Sequence, residues 1–97
     1  MMATEDKIFC ALRLAEKEVT RAMSLYPPHN SAHEAYAILL EEMDELWAEV
    51  KKSPRDRDDE AMMEEAVQVG AMAIRFIVEI CMKEGGLCTS SNPQSPD

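Results

Sequence analysis

The chain is poor in cysteine and in positive charge, and it lacks long apolar runs. Its three cysteines, Cys10, Cys81 and Cys88, are odd in number and have no Cys-x-x-Cys spacing, so neither a disulfide framework nor a zinc site is indicated. Ten basic residues stand against 19 acidic ones, a formal charge of -9, and no basic patch favours nonspecific binding to nucleic acid. No segment approaches the roughly 20 apolar residues that a membrane-spanning helix needs. We expect a cytoplasmic protein that binds neither nucleic acid nor membrane.

The length and the local composition predict one small domain. Ninety-seven residues allow a single domain, and so short a chain buries a modest share of its surface when it is alone. We expect the domain over residues 1–84 and a disordered tail, rich in Ser, Pro and Gly, over residues 85–97.

Apolar residues recur at alternating steps of three and four along three segments, which predicts three helices. The helices cover about residues 5–25, 31–52 and 59–83. Pro27 and Pro28 end the first helix, and Ser31-x-x-Glu34 has the form of a capping box at the start of the second. The connection over residues 53–59 is short, so the second and third helices should be antiparallel neighbours.

The third helix is apolar on two sides. The side that we expect to face the second helix comprises Met62, Ala66, Val69, Ala73, Phe76, Ile77 and Ile80. The back of the helix comprises Val67, Ala71, Ile74 and Val78. A second apolar side indicates a second burial surface, against a partner subunit. We therefore predict an all-α fold, in which a three-helix subunit completes a helical bundle as a homodimer or homotetramer.

Two acidic clusters are the most informative feature of the chain. They are Glu41-Glu42-Met43-Asp44-Glu45 on the second helix and Glu64-Glu65-Ala66-Val67-Gln68 on the third. Residues i and i+3 share a helix face, so Glu42 and Glu45 can point at one place. Glu65 and Gln68 form a similar pair, and packing of the two helices would bring both pairs to the same edge. Hard oxygen ligands of this kind suit Mg²⁺ or Mn²⁺, usually together with the phosphates of a substrate.

These motifs resemble those of the MazG-like, all-alpha nucleoside triphosphate pyrophosphohydrolases. Glu-Glu-x-x-Glu, then 19 residues, then Glu-x-x-Gln is similar to the family pattern, which ends in Glu-x-x-Asp. The Ser-Ala-His-Glu-x-Tyr run before the first cluster and the Val-x-Ala-Met-Ala-Ile-Arg-Phe run after the second resemble short phage-type or bacterial members. The resemblance covers about residues 31–80. It implies Mg²⁺-dependent hydrolysis of a nucleoside triphosphate to a monophosphate and pyrophosphate, in control of the nucleotide pool.

The resemblance also implies roles for the clustered residues. The metal ligands would be Glu42, Glu45 and Glu65, and the fourth ligand, an aspartate in the family, falls on Gln68. Glu42 or Glu45 would orient or deprotonate the attacking water. A glutamine carbonyl can ligate Mg²⁺ but brings no charge and cannot act as a base. A catalytically weakened nucleotide-binding or metal-binding protein is therefore an alternative hypothesis.

Further side chains are candidates for the surroundings of the metal. Glu49 and Glu79 could act as outer ligands or bases. Arg75 could neutralise phosphate charge, Lys51 and Lys52 could reach in from the connection, and Trp47 could stack on the base. Plainer interpretations stay open: Arg75 pairs with Glu79 at i+4, Trp47 belongs to the core, and the acidic faces are merely solvated. A purely structural helical oligomer is thus the third hypothesis.

Overall fold

The computed structural model describes residues 1–82, and these residues contain three helices and no strand. Helix α1 covers Thr4–Leu25, α2 covers Ala32–Val50 and α3 covers Asp59–Phe76, followed by a π-helical turn at Ile77–Cys81. The predicted all-α class is confirmed. The predicted tail over residues 85–97 lies outside the described residues, and so does the expected end of the third helix at residue 83. No helix in the described part has the length and apolar character needed to cross a membrane.

The prolines end α1 where the sequence predicts. Leu25 is the last residue of the helix, and Tyr26 has an extended backbone, with φ -123° and ψ 145°. A residue that precedes proline avoids the α conformation because the proline ring clashes with its backbone. The helix therefore ends before Pro27, and residues 26–31 connect it to α2.

Side-chain caps fix the starts of α2 and α3. The Ser31 hydroxyl accepts a hydrogen bond from the Glu34 N–H at 3.0 Å, and the Glu34 carboxylate accepts one from the Asn30 N–H at 2.6 Å. This is the predicted capping box, with its return bond one residue earlier than usual. At the start of α3, the Asp58 carboxylate accepts a hydrogen bond from the Glu60 N–H at 2.9 Å, which satisfies a free amide of the first turn.

The end of the third helix differs from the predicted uninterrupted helix. The Met82 N–H donates to the Ile77 carbonyl at 3.0 Å, five residues back, so the chain closes a π-helical turn. Apolar periodicity cannot distinguish such a turn from α-helix, because the change lies in the hydrogen-bond pattern. Side-chain directions in this turn depart from those of an ideal α-helix, and Glu79 is one of the residues affected.

The core lies between α3 and its two neighbours, since α3 packs against both α1 and α2. Its buried residues are Val19, Ala22, Ala71 and Met72, and Ile38, Leu39 and Ile74 pack against them. The small side chains of Ala22 and Ala71 let α1 and α3 approach closely. Early residues of α2 meet late residues of α3, as expected for the predicted antiparallel pair.

The buried face of α3 is rotated from the predicted one, because Ala71 and Ile74 of the back, expected to meet a partner subunit, pack instead in the core with α1 of the same chain. Its most buried residues are Ala71, Met72 and Arg75, whereas Met62, Val69 and Phe76 of the expected apolar side are only half-buried. The sequence places Met72 and Arg75 on a polar strip at the edge of the α2–α3 interface. That strip is instead the floor of a groove, because α1 packs on one side of it and α2 on the other.

Part of the predicted apolar side of α2 is exposed. Leu39, Leu46 and Val50 are half-buried against the rest of the protein. Four other residues of that side remain exposed and form what we call the α2 apolar strip: Tyr36 (60 %), Leu40 (45 %), Met43 (48 %) and Trp47 (59 %). Their spacing of four, three and four residues keeps them on one side of the helix. The described chain alone therefore leaves a continuous apolar surface uncovered.

Candidate metal centre

Three of the four predicted ligands lie together. One ligand atom from each of Glu42, Glu45 and Glu65 lies within 4.8 Å of the other two, and we call these residues the acidic cluster. Helix α2 supplies Glu42 and Glu45, one turn apart, and the N-terminal half of α3 supplies Glu65. Glu42 and Glu65 are half-buried, whereas Glu45 is exposed. Carboxylates from two helices thus meet at one edge of the α2–α3 interface.

The acidic cluster is electrostatically unfavourable by itself. Partial burial, and then the negative charges of Glu45 and Glu65, raise the pKa of Glu42 above its ordinary value. Partial burial, followed by the charge of Glu45, likewise raises the pKa of Glu65. Both shifts mean that the protein opposes full ionisation of the three carboxylates. A cation among them would remove that opposition.

Gln68 lies near Glu18, a residue of α1 that the sequence did not single out. Its side chain is close enough to the Glu18 carboxylate to help lower the pKa of Glu18. Glu18 accepts two bonds from Arg21, at 2.7 Å and 3.1 Å. The hydrogen bonds from Arg21, and to a smaller extent the nearby Gln68 side chain, hold the pKa of Glu18 below its ordinary value despite its burial. The side-chain carbonyl of Gln68 is an acceptor that a cation could use.

A cleft adjoins the acidic cluster. Its volume is about 500 Å³, within the range of small-molecule sites in proteins. All three helices and the connection between α1 and α2 line it, including Arg21, His29, Glu42, Gln68 and Arg75. Gln68 and Arg75 are seven residues apart on α3, which separates them by about 10 Å along the helix axis. The cleft therefore extends from the acidic cluster to a second, distinct group of polar residues.

That second group is a buried network formed by His29, Arg75 and Glu79. Arg75 Nε donates to Glu79 Oε2 at 2.8 Å, and Arg75 Nη2 donates to the Pro27 carbonyl at 2.7 Å. The backbone N–H of His29 donates to Glu79 Oε1 at 2.9 Å. Burial alone would raise the pKa of Glu79, but the bonds from His29 and Arg75 keep it below its ordinary value. The network fastens the α1–α2 connection to the π-helical turn.

The network changes the expected roles of two residues. Arg75, proposed from the sequence for phosphate charge, is 4 % exposed and bound to Glu79 and Pro27. The i,i+4 pair that the sequence left open as its alternative is present. Glu79, considered as an outer ligand or base, has its described partners in this network, outside the acidic cluster.

The other predicted residues lie at the periphery. Lys52 Nζ donates to Glu49 Oε1 at 2.9 Å, and the charge of Glu49 contributes to the raised pKa of Glu65. Lys51 is exposed and ends α2. Trp47 belongs to the α2 apolar strip and does not line the cleft beside the acidic cluster. Glu49 is thus close enough to act on the cluster electrostatically, whereas Trp47 lies on another surface.

Sequence reasoning missed Glu18 and Arg21 on α1, and it assigned His29 to a loop without a role. Glu18 and Arg21 stand at i and i+3 beside the apolar residues Val19 and Ala22, but that signal becomes meaningful only when the side of α1 that meets α3 is known. His29 carries no local signal, because its partner Glu79 is 50 residues away.

No family model matches the chain, and no curated protein or solved structure is significantly similar to it. We therefore infer a function from the chemistry of the acidic cluster and of the adjoining cleft.

Proposed function

We propose that the chain is a Mg²⁺-dependent nucleoside triphosphate pyrophosphohydrolase of the MazG-like, all-alpha type, acting on the cytoplasmic nucleotide pool. The reaction would convert a ribo- or deoxyribonucleoside triphosphate and water into the monophosphate and pyrophosphate. The observation that carries the proposal is the convergence of the Glu42, Glu45 and Glu65 carboxylates, within 4.8 Å, from two helices. The adjoining cleft has room for an organic ligand.

The donor set fits a hard divalent cation. Three carboxylates, with the carbonyl of Gln68 as the expected fourth ligand, offer oxygen atoms only, which suits Mg²⁺ or Mn²⁺. The cluster contains no histidine or cysteine, the ligands typical of zinc sites. In a chain with a formal charge of -9, a cation would also offset the repulsion between these carboxylates and a triphosphate.

The residues of the cluster would divide the work of hydrolysis. Bound Mg²⁺ would supply Lewis-acid polarisation of the phosphate oxygens and hold them in place. Glu42 or Glu45, when it is not fully committed to the metal, would orient or deprotonate the attacking water. The α,β-phosphoanhydride bond breaks, and pyrophosphate leaves.

Positive side chains around the site would support the phosphates. Arg21 lines the cleft and is exposed, and Lys51 and Lys52 lie at the end of α2 that also carries Glu49. Lys52 would exchange its bond to Glu49 for one to a phosphate. These contacts would be weak individually, because exposed charges are screened by water and salt.

The exposed apolar surface supports assembly into a homodimer or homotetramer. The α2 apolar strip is continuous over three turns, and monomeric proteins rarely expose such a surface without a partner. In this proposal Trp47 serves the subunit interface. A second copy of the chain would complete the helical bundle.

A protein that binds nucleotide and metal without turnover is the second candidate. Gln68 stands where the family has an aspartate. A neutral ligand weakens the hold on Mg²⁺ and adds no base. The same carboxylates would then bind a Mg²⁺–nucleotide complex without hydrolysing it.

Product analysis tests the proposal. Pyrophosphate and monophosphate should be measured with a panel of ribo- and deoxyribonucleoside triphosphates in Mg²⁺, Mn²⁺ or EDTA. Paired products that require metal and disappear in Glu45→Gln are expected. Asp44→Asn, which removes a charge from the same helix but outside the acidic cluster, is the matched control and should retain activity. Metal-dependent binding of a nucleotide without any product would instead favour the second candidate, a protein that binds nucleotide and metal without turnover.

A further inference from the structure

The imidazole of His29 is held in an unusual way for a residue in a connection. Its side chain is 10 % exposed, and Nδ1 is buried without a hydrogen-bond partner among the described residues. The nearest carboxylate oxygen, Glu79 Oε1, lies 3.4 Å from Nδ1. That separation is too long for a good hydrogen bond but short enough to orient the ring electrostatically. Nδ1 therefore faces Glu79, which leaves Nε2 as the ring nitrogen that an outside ligand could meet.

The Glu79 carboxylate sets the chemistry of the ring. Glu79 is fixed by the N–H of His29 and by Arg75 Nε, so it cannot swing away from Nδ1. In the neutral ring, a carboxylate beside Nδ1 favours the tautomer that carries its proton on that nitrogen. Nε2 then keeps its lone pair. Since His29 lines the cleft and Nε2 is not among the buried, unpartnered atoms, we place this acceptor at the wall of the cleft.

The wall around His29 is unsuited to a phosphate. Pro28, Ile38 and Met72 contribute apolar surface to the cleft, and Glu34 contributes negative charge. A phosphate offers hydrogen-bond acceptors and negative charge, and would meet a lone pair and a carboxylate, while the guanidinium of Arg75 is already bound to Glu79 and to the Pro27 carbonyl. A flat heterocycle with a ring N–H or an amino group offers what this wall lacks, namely apolar faces and a donor for Nε2.

We propose that this end of the cleft is a nucleobase subsite and that His29 is the residue that recognises the base. The proposal rests on the proposed function in one respect, namely that the ligand is a nucleotide whose phosphates lie at the acidic cluster. Glu42 and Gln68 border the same cleft, and the separation of about 10 Å along α3 between Gln68 and Arg75 leaves room for the sugar. His29 is thus a specificity-determining residue, positioned by Glu79.

Two ligands that differ in the base separate this role from phosphate binding. Non-hydrolysable α,β-methylene nucleoside triphosphates and inorganic tripolyphosphate should be titrated calorimetrically in Mn²⁺ against the wild type, His29→Phe and His29→Gln. Loss of one hydrogen bond predicts about tenfold weaker nucleotide binding by His29→Phe and unchanged tripolyphosphate binding. His29→Gln restores an acceptor and should recover part of the affinity. His33→Phe, at an exposed position in the first turn of α2, is the matched control.

Each outcome decides the proposal. Equal weakening of both ligands, or no weakening of the nucleotide, would overturn the role of His29. A melting temperature measured for each variant identifies any folding defect. If His29→Phe is destabilised, the binding of His29→Gln is compared with that of the wild type instead. Base-dependent binding by a chain that releases no product would refute the proposed hydrolase activity but would support the nucleobase subsite. If the His29 variants hydrolyse nucleotides as the wild type does, the hydrolase activity is supported and the role of His29 is refuted. A wild type that binds no nucleotide would overturn both the proposed function and the nucleobase subsite.

Discussion

Replacing Glu45 by glutamine removes one of three clustered charges while preserving the size of the side chain. Two unit charges separated by 4.8 Å, the limit for the cluster, repel by about 0.9 kcal/mol in water. Glu45 has two such partners, Glu42 and Glu65, and salt screens part of the repulsion. We therefore expect Glu45→Gln to raise the free energy of unfolding by about 1 kcal/mol when no divalent cation is present.

A bound cation reverses this effect. Mg²⁺ at ten times its Kd would stabilise the wild type by about 1.4 kcal/mol, because it binds the folded state and not the unfolded one. Glu45→Gln lacks one of the three carboxylates and should lose most of that gain. The variant is expected to be the more stable protein in EDTA and to lose its advantage in Mg²⁺.

Urea unfolding followed by far-UV circular dichroism measures both differences, in EDTA and in Mg²⁺ at matched ionic strength. Asp44→Asn controls for the loss of a charge on α2 outside the acidic cluster. Equal gains from Mg²⁺ in the wild type and in Glu45→Gln would refute a specific metal site. A lower stability of Glu45→Gln in EDTA would refute the electrostatic account of the acidic cluster.

Three further predictions concern pH, the buried network and α3. The pKa values of Glu42 and Glu65 are raised in the folded state, so their contribution to stability is fully present below their ordinary pKa of 4.5 and is lost as the pH rises through the folded values. Thermal unfolding in EDTA should show this loss of stability, and saturating Mg²⁺ should suppress it. Glu79→Ala should cost about 3–5 kcal/mol in urea unfolding by leaving the Arg75 guanidinium buried and unpaired, and a cost below about 1 kcal/mol would mean that water replaces the carboxylate. Gly70→Ala should raise the free energy of unfolding by about 0.5–1 kcal/mol, because Gly70 lies within α3 and nothing is within 4 Å of the added Cβ. A loss of stability together with a smaller assembly in light scattering would show that a second copy of the chain approaches Gly70.

The sequence predicts the helices well because their ends carry local signals. Pro27 after α1 and Ser31 before α2 determine those boundaries through backbone geometry and capping, which need no tertiary information. The convergence of Glu42, Glu45 and Glu65 was also predictable, because i,i+3 spacing and a short connection bring the two pairs to one edge.

The rotation of α3 was not predictable from its own pattern. A helix with one neighbour buries one stripe, but α3 packs against α1 and α2, so Met72 and Arg75 between them are the most protected. The roles of Glu18 and His29 depend on contacts across the chain, with Gln68 and Glu79 respectively. Periodicity contains no information on such pairs, since each partner looks like an ordinary polar residue in its own helix or loop.

The bond between the His29 N–H and Glu79 closes a loop of 50 residues, whereas α2 and α3 meet across a connection of only residues 51–58. The entropic cost of closure rises with loop length, so we expect the α2–α3 hairpin to form early in folding and the bond to Glu79 late. Contacts absent from the transition state govern unfolding rates more than folding rates. We therefore expect the α1–α2 connection, and with it one end of the cleft, to open before the helical hairpin that holds the carboxylates unfolds.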